Sequence, residues 1–177
     1  MIRLERFTRD DIDRLIGWIT TPEFLIQWAG PEFGFPLDRR QLEKHIKLAG
    51  VKPPDRLIFK IADPTGVIGH VELGAIDRLN RAAKVGRVLI GTETRRGRGA
   101  AAEALEILCA IAFEDLNLHR LELAVYDFNH AAIRCYEKVG FRHEGLRRDS
   151  VRMGEVYWNT CVMGFLAPEW RRRDPSR

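Results

Sequence analysis

The sequence of 177 residues is short of several features, and each absence excludes a class of protein. No apolar run approaches the roughly 20 residues that are needed to cross a bilayer. The N-terminal stretch lacks the apolar segment that a secretory signal peptide carries. There are only three cysteines, which are far apart and do not have the spacing of metal ligands. We therefore expect a cytoplasmic protein with reduced thiols, no membrane segment and no bound metal.

The charge of the chain is only mildly positive, with a formal net charge of +4 at pH 7. The cluster Arg171-Arg172-Arg173 makes a nucleic-acid-binding module one alternative, but no recognition-helix or RNA-binding aromatic motif accompanies it. A small positive excess suits an anionic small-molecule ligand, so we expect no specific nucleic-acid partner. The hydrophobic content of 45% is that of an ordinary globular protein. We predict one domain over residues 1–167 and a polar, frayed C-terminal tail over residues 168–177.

The most informative stretch is a turn between an apolar strand and an apolar helix. The strand ends at Leu89-Ile90-Gly91, and the helix starts near residue 99. Gly97 and Gly99 lack Cβ atoms, so a ligand can approach the backbone amides of this turn closely. The first amides of a helix have no intrahelical partners, and the helix dipole adds positive charge there. The pattern predicts a phosphate site, with a surface turn of solvated arginines as the simpler alternative.

The charges and the spacing of this turn narrow down the phosphate ligand. Arg95, Arg96 and Arg98 add guanidinium groups that can grip phosphate oxygens. A nucleotide P-loop is excluded because no Lys-Ser/Thr pair follows the glycines. A dinucleotide fingerprint is excluded because its third glycine is absent and alanines follow Gly99 instead. The remaining pattern is R-x-x-G-x-A, which runs from Arg96 to Ala101.

A second pattern, N-x-x-A-x-x-x-Y-E-K-x-G-F, lies downstream and runs from Asn129 to Phe141. Asn129 can cap a helix that Gly140 ends. Asn129 and Tyr136 are seven residues apart, which is two helical turns, so both project from one face of this helix. A helix cap followed by a buried aromatic residue is the structural alternative.

Hydrophobic periodicity predicts the order of the elements. Alternating apolar residues indicate a strand near the N-terminus and a three-stranded antiparallel meander over residues 55–91. Helix starts at Thr8, near Thr21 and at Asp38 predict three helices between the first strand and the meander. The strand that ends at residue 91, the long apolar helix and the strand over residues 118–126 form a βαβ unit, so those two strands are expected to be parallel. Two final strands follow the helix that Asn129 caps.

Together, the two motifs resemble those of the GNAT superfamily of N-acetyltransferases, which bind acetyl-coenzyme A through Q/R-x-x-G-x-G/A. The element order resembles that superfamily over about residues 1–167. The resemblance implies an α/β (α+β) fold with a mixed, strongly twisted sheet of about seven strands and helices on both faces. The segment from Gly145 to Trp170 resembles the RimJ/RimL branch, whose members have quite different acceptors.

The resemblance also implies the reaction and its partners. Acetyl-coenzyme A is the expected donor, and the acceptor is expected to be a primary amine, on a protein N-terminus such as that of a ribosomal protein or on a small molecule. A catalytically silent acyl-CoA-binding domain is the alternative, and the chain is expected to be a monomer or a homodimer. Asn129 is expected to contact the pantetheine or phosphate arm, and Tyr136 to stand beside the thioester sulfur. The other expected cofactor-binding residues are Leu89, Ile90, Gly91, Arg96, Gly97, Arg98, Gly99, Ala100 and Ala101.

The chemistry of acetyl transfer suggests further roles. Alkylamines are mostly protonated at neutral pH, so a base or a water chain must remove a proton before the amine attacks. Glu72 and Glu122 are the candidate bases, and a main-chain amide at the end of the strand is the candidate oxyanion donor. The Tyr136 phenol is the candidate acid for the departing thiolate. The residues expected to line the acceptor pocket are Trp28, Phe33 and Phe35, with core packing of at least two aromatic residues of this region as the simpler alternative.

Overall fold

Seven strands form one mixed sheet in the computed structural model, which describes residues 1–50 and 52–173. The strands are β1 (Arg3–Arg6), β2 (Leu57–Asp63), β3 (Gly66–Asp77), β4 (Ala82–Ile90), β5 (Arg120–Tyr126), β6 (Arg142–Met153) and β7 (Val156–Leu166). Their order across the sheet is β1-β2-β3-β4-β5-β7-β6. All neighbouring pairs are antiparallel except β4 and β5, which are parallel as the βαβ pattern predicted.

Helices occupy the connections in which the sequence predicted them, and one further helix follows the last strand. They are α1 (Ile12–Trp18), α2 (Pro22–Ala29), α3 (Arg39–Leu48), α4 (Ala100–Ala110), α5 (His130–Val139) and α6 (Ala167–Arg173). The Thr21 hydroxyl accepts a hydrogen bond from the Phe24 amide, and Asp38 accepts one from the Gln41 amide, which satisfies free amides in the first turns. Among the described residues no helix is both long and apolar enough to cross a membrane.

The helices cover both faces of the sheet, as the family resemblance implied. Leu57 and Phe59 of β2 belong to a core that includes the buried side chains of α4 and α5. Ile58, which lies between them, belongs to a second core with residues of α1, α2 and α3. Successive side chains of a strand point to opposite faces, so this alternation places one helical layer on each side.

The parallel strands β4 and β5 are joined at one end only. Within the described strands, Ala82–Lys84 pairs with Arg120–Glu122, and the remaining residues of β4 have no partner on β5. The two strands therefore separate toward their C-terminal ends. This separation exposes main-chain groups on one edge of β4 in the middle of a seven-stranded sheet, and it creates the space that the functional site occupies.

The C-terminal residues differ from the frayed tail that we expected. Ala167–Arg173 form α6, and Trp170 is buried against Phe113 and Phe165. Its indole nitrogen donates a hydrogen bond of 2.8 Å to Glu114. The run of arginines makes the segment polar on average, yet its tryptophan is buried, and Arg173 pairs with Glu106 at 2.9 Å. Residues 174–177 of the expected tail lie outside the described residues.

Candidate active site

A cleft of about 560 Å³ opens where β4 and β5 separate. It is bounded by α2, the C-terminal half of β4, the turn before α4, the start of α4 and one face of α5. The predicted site residues that line it are Trp28, Leu89, Ile90, Arg96, Gly97, Gly99, Ala100, Ala101, Asn129 and Tyr136. Residues from both sequence motifs thus face the same cavity, although they are far apart along the chain.

Several lining residues were not identified from the sequence. They are Phe24, Gln27, Val88, Ala102, Ala131, Arg134, Cys135 and Lys138. Arg134 and Lys138 are four residues apart on α5, and this spacing is the signal that could have predicted a shared basic face. Phe24 and Gln27 have no comparable signal, because only the packing of α2 against β4 brings them to the cleft.

The turn before α4 has the geometry of an anion site. Gly97 and Gly99 have φ angles of 72° and 87°, in the left-handed region that other residues rarely adopt. A Cβ atom added at either position would meet no atom within 4 Å, so the space beside them is open. Gly99 directly precedes the first turn of α4 and has no side chain, so the free amides of this turn are accessible. These features fit a pyrophosphate group, which needs close access to backbone donors.

The arginines of the turn have three different environments. Arg96 folds back onto β4 and donates to the carbonyl oxygens of Ile90 and Gly91 at 2.9 and 3.2 Å. Arg95 is paired with Asp63 at 2.9 Å, in the turn that joins β2 to β3. Arg98 is exposed, and within residues 1–50 and 52–173 no acceptor lies within hydrogen-bonding distance of its guanidinium group. Of the three arginines, Arg98 is thus the one with no hydrogen bond or ion pair in the described part of the chain, although it does not line the cleft itself.

Helix α5 presents Asn129 and Tyr136 to the cleft. The Asn129 side chain caps the helix by accepting a hydrogen bond of 3.2 Å from the Ala132 amide. The Tyr136 ring is 9% exposed and packs edge-on against Phe141. Its hydroxyl has no hydrogen-bond partner in the part of the chain that the structure describes. Burial raises the pKa of Tyr136, so the phenol is protonated at neutral pH and can donate a proton.

The end of β4 offers one main-chain amide to the cleft. The Gly91 amide is already engaged, since it donates to the Ile68 carbonyl at 2.9 Å. Successive amides of a strand point in opposite directions, so the Ile90 amide faces away from β3 and toward the open side of the sheet. Gly91 has another role, because a Cβ atom there would lie 1.9 Å from the Trp18 ring. Gly91 allows α1 to pack directly on the end of β4.

The three aromatic residues of the expected acceptor pocket are in different places. Trp28 is buried and lines the cleft. Phe33 does not line it but stacks on Trp28, with ring centroids 6.1 Å apart. Phe35 is 46% exposed and is not part of the cleft wall. The acceptor-pocket role of Phe35 therefore stays a prediction, which its position outside the cleft wall does not support.

The two candidate bases are both outside the cleft wall. Glu72 is 2% exposed, and its carboxylate accepts hydrogen bonds from His45 at 2.9 Å and from Arg87 at 2.8 Å. Burial by itself raises the pKa of Glu72, but the His45 hydrogen bond and the charges of His70 and Arg87 outweigh it and lower the pKa to about 2. A carboxylate with so low a pKa has little affinity for a proton at neutral pH.

Glu122 lies at the closed end of the β4–β5 pair. Its Cα partner is Lys84, and its carboxylate is near Lys84 and Arg120 at 3.6 and 3.3 Å. Ile90 is six residues farther along β4, which corresponds to roughly 20 Å of strand. Glu122 is therefore far from the cleft that Tyr136 and Ile90 line, and its prediction as a direct base is not supported by its position.

The separated parallel strands, with an anion-binding turn at their open end, place the protein in the GNAT class of folds. The chain belongs to the GNAT acetyltransferase family, because the family profile described as "Acetyltransferase (GNAT) domain" matches residues 2–142. The family resemblance that the two motifs indicated is thereby confirmed.

Individual relatives agree with this assignment. The chain is 34% identical over 113 residues to the probable N-acetyltransferase YjcK of Bacillus subtilis (strain 168), which covers 63% of this chain and 61% of that protein. It is 38% identical over 77 residues to spermidine N(1)-acetyltransferase of Escherichia coli (strain K12), covering 44% and 40%. The chain thus spans less than two thirds of the length of either curated relative.

One solved structure illustrates the likeness of the fold. The crystal structure of spermidine N-acetyltransferase from Vibrio cholerae in complex with CoA and spermine matches with a TM-score of 0.83 and 22% identity, over 96% of this chain and 97% of that one. At this identity the comparison shows a shared fold only.

Proposed function

We propose that this protein transfers the acetyl group of acetyl-coenzyme A to a primary amine of a small aliphatic polyamine. The observation that carries the transferase assignment is the shared cleft, in which the Gly97–Gly99 turn and the Tyr136 hydroxyl face one cavity. Support for the acceptor comes from similarity to the spermidine N(1)-acetyltransferase of Escherichia coli. A protein N-terminus, the acceptor suggested by the resemblance to the RimJ/RimL branch, is the competing outcome.

The residues of the cleft have complementary tasks in this reaction. The turn before α4 and the amides of its first turn hold the diphosphate of the donor. The apolar wall formed by Val88, Ala132 and Cys135 accommodates an uncharged arm of the donor. Donor chemistry places an acyl thioester at the end of that arm, in reach of an amine nucleophile. We assign the acceptor side to Phe24, Gln27 and Trp28, which line the same cavity from α2.

Two groups of the chain stabilise the charge that acetyl transfer develops. The Ile90 amide, which faces the open side of the sheet, donates to the oxygen that becomes negative when the amine adds to the thioester. The Tyr136 hydroxyl donates its proton to the sulfur as the carbon–sulfur bond breaks. The acceptor ammonium loses a proton to water in the cleft before it attacks, because the carboxylates of Glu72 and Glu122 are occupied by ion pairs outside the cleft. After the addition, the nitrogen loses a second proton, which restores the Tyr136 phenol.

The acceptor is identified with a panel of amines and purified protein. Spermidine, spermine, putrescine, an aminoglycoside and peptides with free N-termini are each incubated with acetyl-coenzyme A, and release of free thiol is followed. We expect turnover with polyamines and at least tenfold lower kcat/KM with peptides. A preference for peptides would replace the polyamine by a protein acceptor. Binding of acetyl-coenzyme A without thiol release from any amine would favour the silent acyl-CoA-binding alternative.

A further inference from the structure

A buried ion-pair network lies beneath the cleft, next to the second helical layer. Glu72 of β3 is at its centre, with His45 of α3 and Arg87 of β4 hydrogen-bonded to its carboxylate. His70, also on β3, lies 3.5 Å from the same carboxylate. The Arg87 guanidinium also contacts Glu32 and lies 5.3 Å from the centre of the Phe33 ring. The network therefore joins α3, β3 and β4 to the loop that follows α2.

The network contacts β4 at an irregularity in the pairing of β3 with β4. His70 is opposite Leu89, and Glu72 is opposite Gly86, so two residue steps on β3 face three on β4. The extra residue forms a β-bulge. Arg87, at the bulge, has a φ angle of 51°, which a side chain with a Cβ atom adopts only when its surroundings require it. Val88, Leu89 and Ile90, which follow directly, line the cleft.

The carbonyl of Arg87 is held as firmly as its side chain. It accepts a hydrogen bond of 3.0 Å from the Trp28 indole nitrogen and one of 3.1 Å from Nδ1 of His70. The bulge turns this carbonyl out of the sheet ladder, and the two side-chain donors satisfy it. Residues of α2, of β3 and of the loop after α2 contact the Arg87 carbonyl or guanidinium. By holding Arg87, these contacts determine where the three residues after it lie.

The hydrogen bonds fix the protonation pattern of His45. Arg56 donates to Nδ1 of His45 at 3.1 Å, and a guanidinium group cannot accept a hydrogen bond. Nδ1 is therefore unprotonated, and the ring proton is on Nε2, which donates to Glu72. All the donors around the Glu72 carboxylate are thereby supplied by the protein, and accepting a substrate proton would require breaking a buried ion pair.

We propose that Glu72 is a positioning residue, which acts through Arg87 to hold the β4 bulge and so directs the Ile90 amide into the cleft. This inference rests on acetyl transfer in the cleft but not on the identity of the acceptor. Glu72 does not line the cleft. Its effect on catalysis comes from the placement of the oxyanion donor, for which an error of about 1 Å can cost on the order of a hundredfold in rate.

Kinetics of three variants separate positioning from general base catalysis. We expect Glu72→Gln and Arg87→Met each to lower kcat by about tenfold to a hundredfold, with unchanged affinity for acetyl-coenzyme A. The double variant should be no slower than the slower single variant, within about threefold, because both changes remove the same support. The acid limb of the pH profile of kcat/KM should stay at the wild-type pH in Glu72→Gln.

A base role for Glu72 predicts different results. Arg87→Met would then keep most of its turnover, because the carboxylate is still present, and its acid limb would move to higher pH. Glu72→Gln would lose the limb altogether. Either result overturns the proposal. If Glu72→Gln alone fails to fold because Arg87 is left unpaired, Arg87→Met still separates the two roles, because it keeps the carboxylate and removes only the support of the bulge.

A spectroscopic measurement tests the same idea without any acceptor. The indole proton of Trp28, which donates to the Arg87 carbonyl, is one of four indole signals in an NMR spectrum and is assigned with Trp28→Phe. We expect its hydrogen exchange to become at least tenfold faster in Glu72→Gln and in Arg87→Met. Unchanged exchange in both folded variants would contradict the proposal, whereas absence of acetyl transfer by the wild type would contradict only the proposed function.

Asp11→Asn is the matched control. Asp11 is also a buried carboxylate, 4% exposed and paired with Lys60 at 3.1 Å, but it lies outside the cleft wall. We expect this variant to lose stability while its kcat and its Trp28 exchange remain those of the wild type. A loss of turnover equal to that of Glu72→Gln would mean that any buried ion pair on this side of the sheet has the effect.

Discussion

Arg96 donates a hydrogen bond from Nε to the main-chain carbonyl of Ile90 at 2.9 Å, which joins the anion-binding turn to the end of β4. The same guanidinium group reaches the Gly91 carbonyl at 3.2 Å. Arg96 therefore supports the structure of the site, in addition to adding positive charge. Arg98, two residues later, has no such contact among the described residues. The two arginines therefore allow the structural role and the electrostatic role to be tested separately.

We predict that Arg96→Ala lowers both stability and acetyl-coenzyme A affinity, whereas Arg98→Ala lowers affinity alone. Loss of a charged hydrogen bond costs about 2 kcal/mol, which corresponds to a decrease in Tm of several degrees for a chain of this size. The loss of charge at Arg98 should matter less at high salt, since exposed charges are screened. Thermal unfolding and calorimetric titration at two salt concentrations measure both effects. Equal Tm values for the two variants would contradict this division.

Gly99→Asp should strongly weaken acetyl-coenzyme A binding. The substitution puts a carboxylate beside the free amides of α4 and also imposes a Cβ atom on a φ angle of 87°. Gly154→Asp is the matched control, because Gly154 has a φ angle of 60° and open space around it but lies in the turn between β6 and β7. We expect similar losses of Tm in the two variants without ligand. Only Gly99→Asp should abolish the stabilisation by acetyl-coenzyme A, and an equal ligand-induced shift in both would refute the anion site.

Gly91→Ala should destabilise the fold, because its new methyl group would overlap the Trp18 ring. Overpacking of this kind costs about 1–3 kcal/mol. Gly17→Ala is the control, since Gly17 is on α1 with no atom within 4 Å of the added Cβ, and alanine favours a helix by up to about 1 kcal/mol. Urea denaturation of both variants should show opposite changes in the free energy of unfolding. A neutral Gly91→Ala variant would mean that α1 can move away from β4 at little cost.

Tyr136→Phe should lose about a hundredfold or more in kcat, the range that general acid catalysis contributes. Its Tm and its acetyl-coenzyme A affinity should stay unchanged, because the ring packing against Phe141 is kept and the removed hydroxyl has no partner among the described residues. Burial raises the pKa of Tyr136, so the phenol remains protonated at neutral and mildly alkaline pH and wild-type kcat should not fall there through its ionisation. Turnover within about threefold of the wild type would show that Tyr136 only packs, since this is well short of the general-acid range.

The stability of the fold should depend on Glu72 in acid. Its pKa in the folded protein, about 2, is below the ordinary value of 4.5. A lowered pKa contributes stability that is fully present above the ordinary value and is lost as the pH falls through the folded value. We therefore expect the free energy of unfolding to fall from about pH 5 toward pH 2, and less steeply in Glu72→Gln. Parallel pH curves for the two proteins would contradict the lowered pKa.

Much of the architecture could be predicted because its signals are local. The caps at Thr21 and Asp38 predicted helix starts that the structure contains, and the spacing of β4, α4 and β5 predicted the parallel pair. The glycine turn and the Asn129–Tyr136 helix face depend on backbone freedom and on helical periodicity, which are properties of short stretches. The C-terminal segment differed from its prediction, because a polar average composition does not show that Trp170 is buried.

The sequence by itself thus determined the family, the order of the elements and the two motifs of the donor site, since each of these depends on residues close together in the chain. Only the tertiary structure decided the environments of the carboxylates and aromatic residues. Glu72 is buried because α3 brings His45, and β4 brings Arg87, to the same point of β3. Phe35 is half exposed and does not line the cleft. Burial and ion pairing involve residues that are distant in the sequence. They set the pKa of a side chain and its access to the cleft, and neither property can be read from a local sequence pattern.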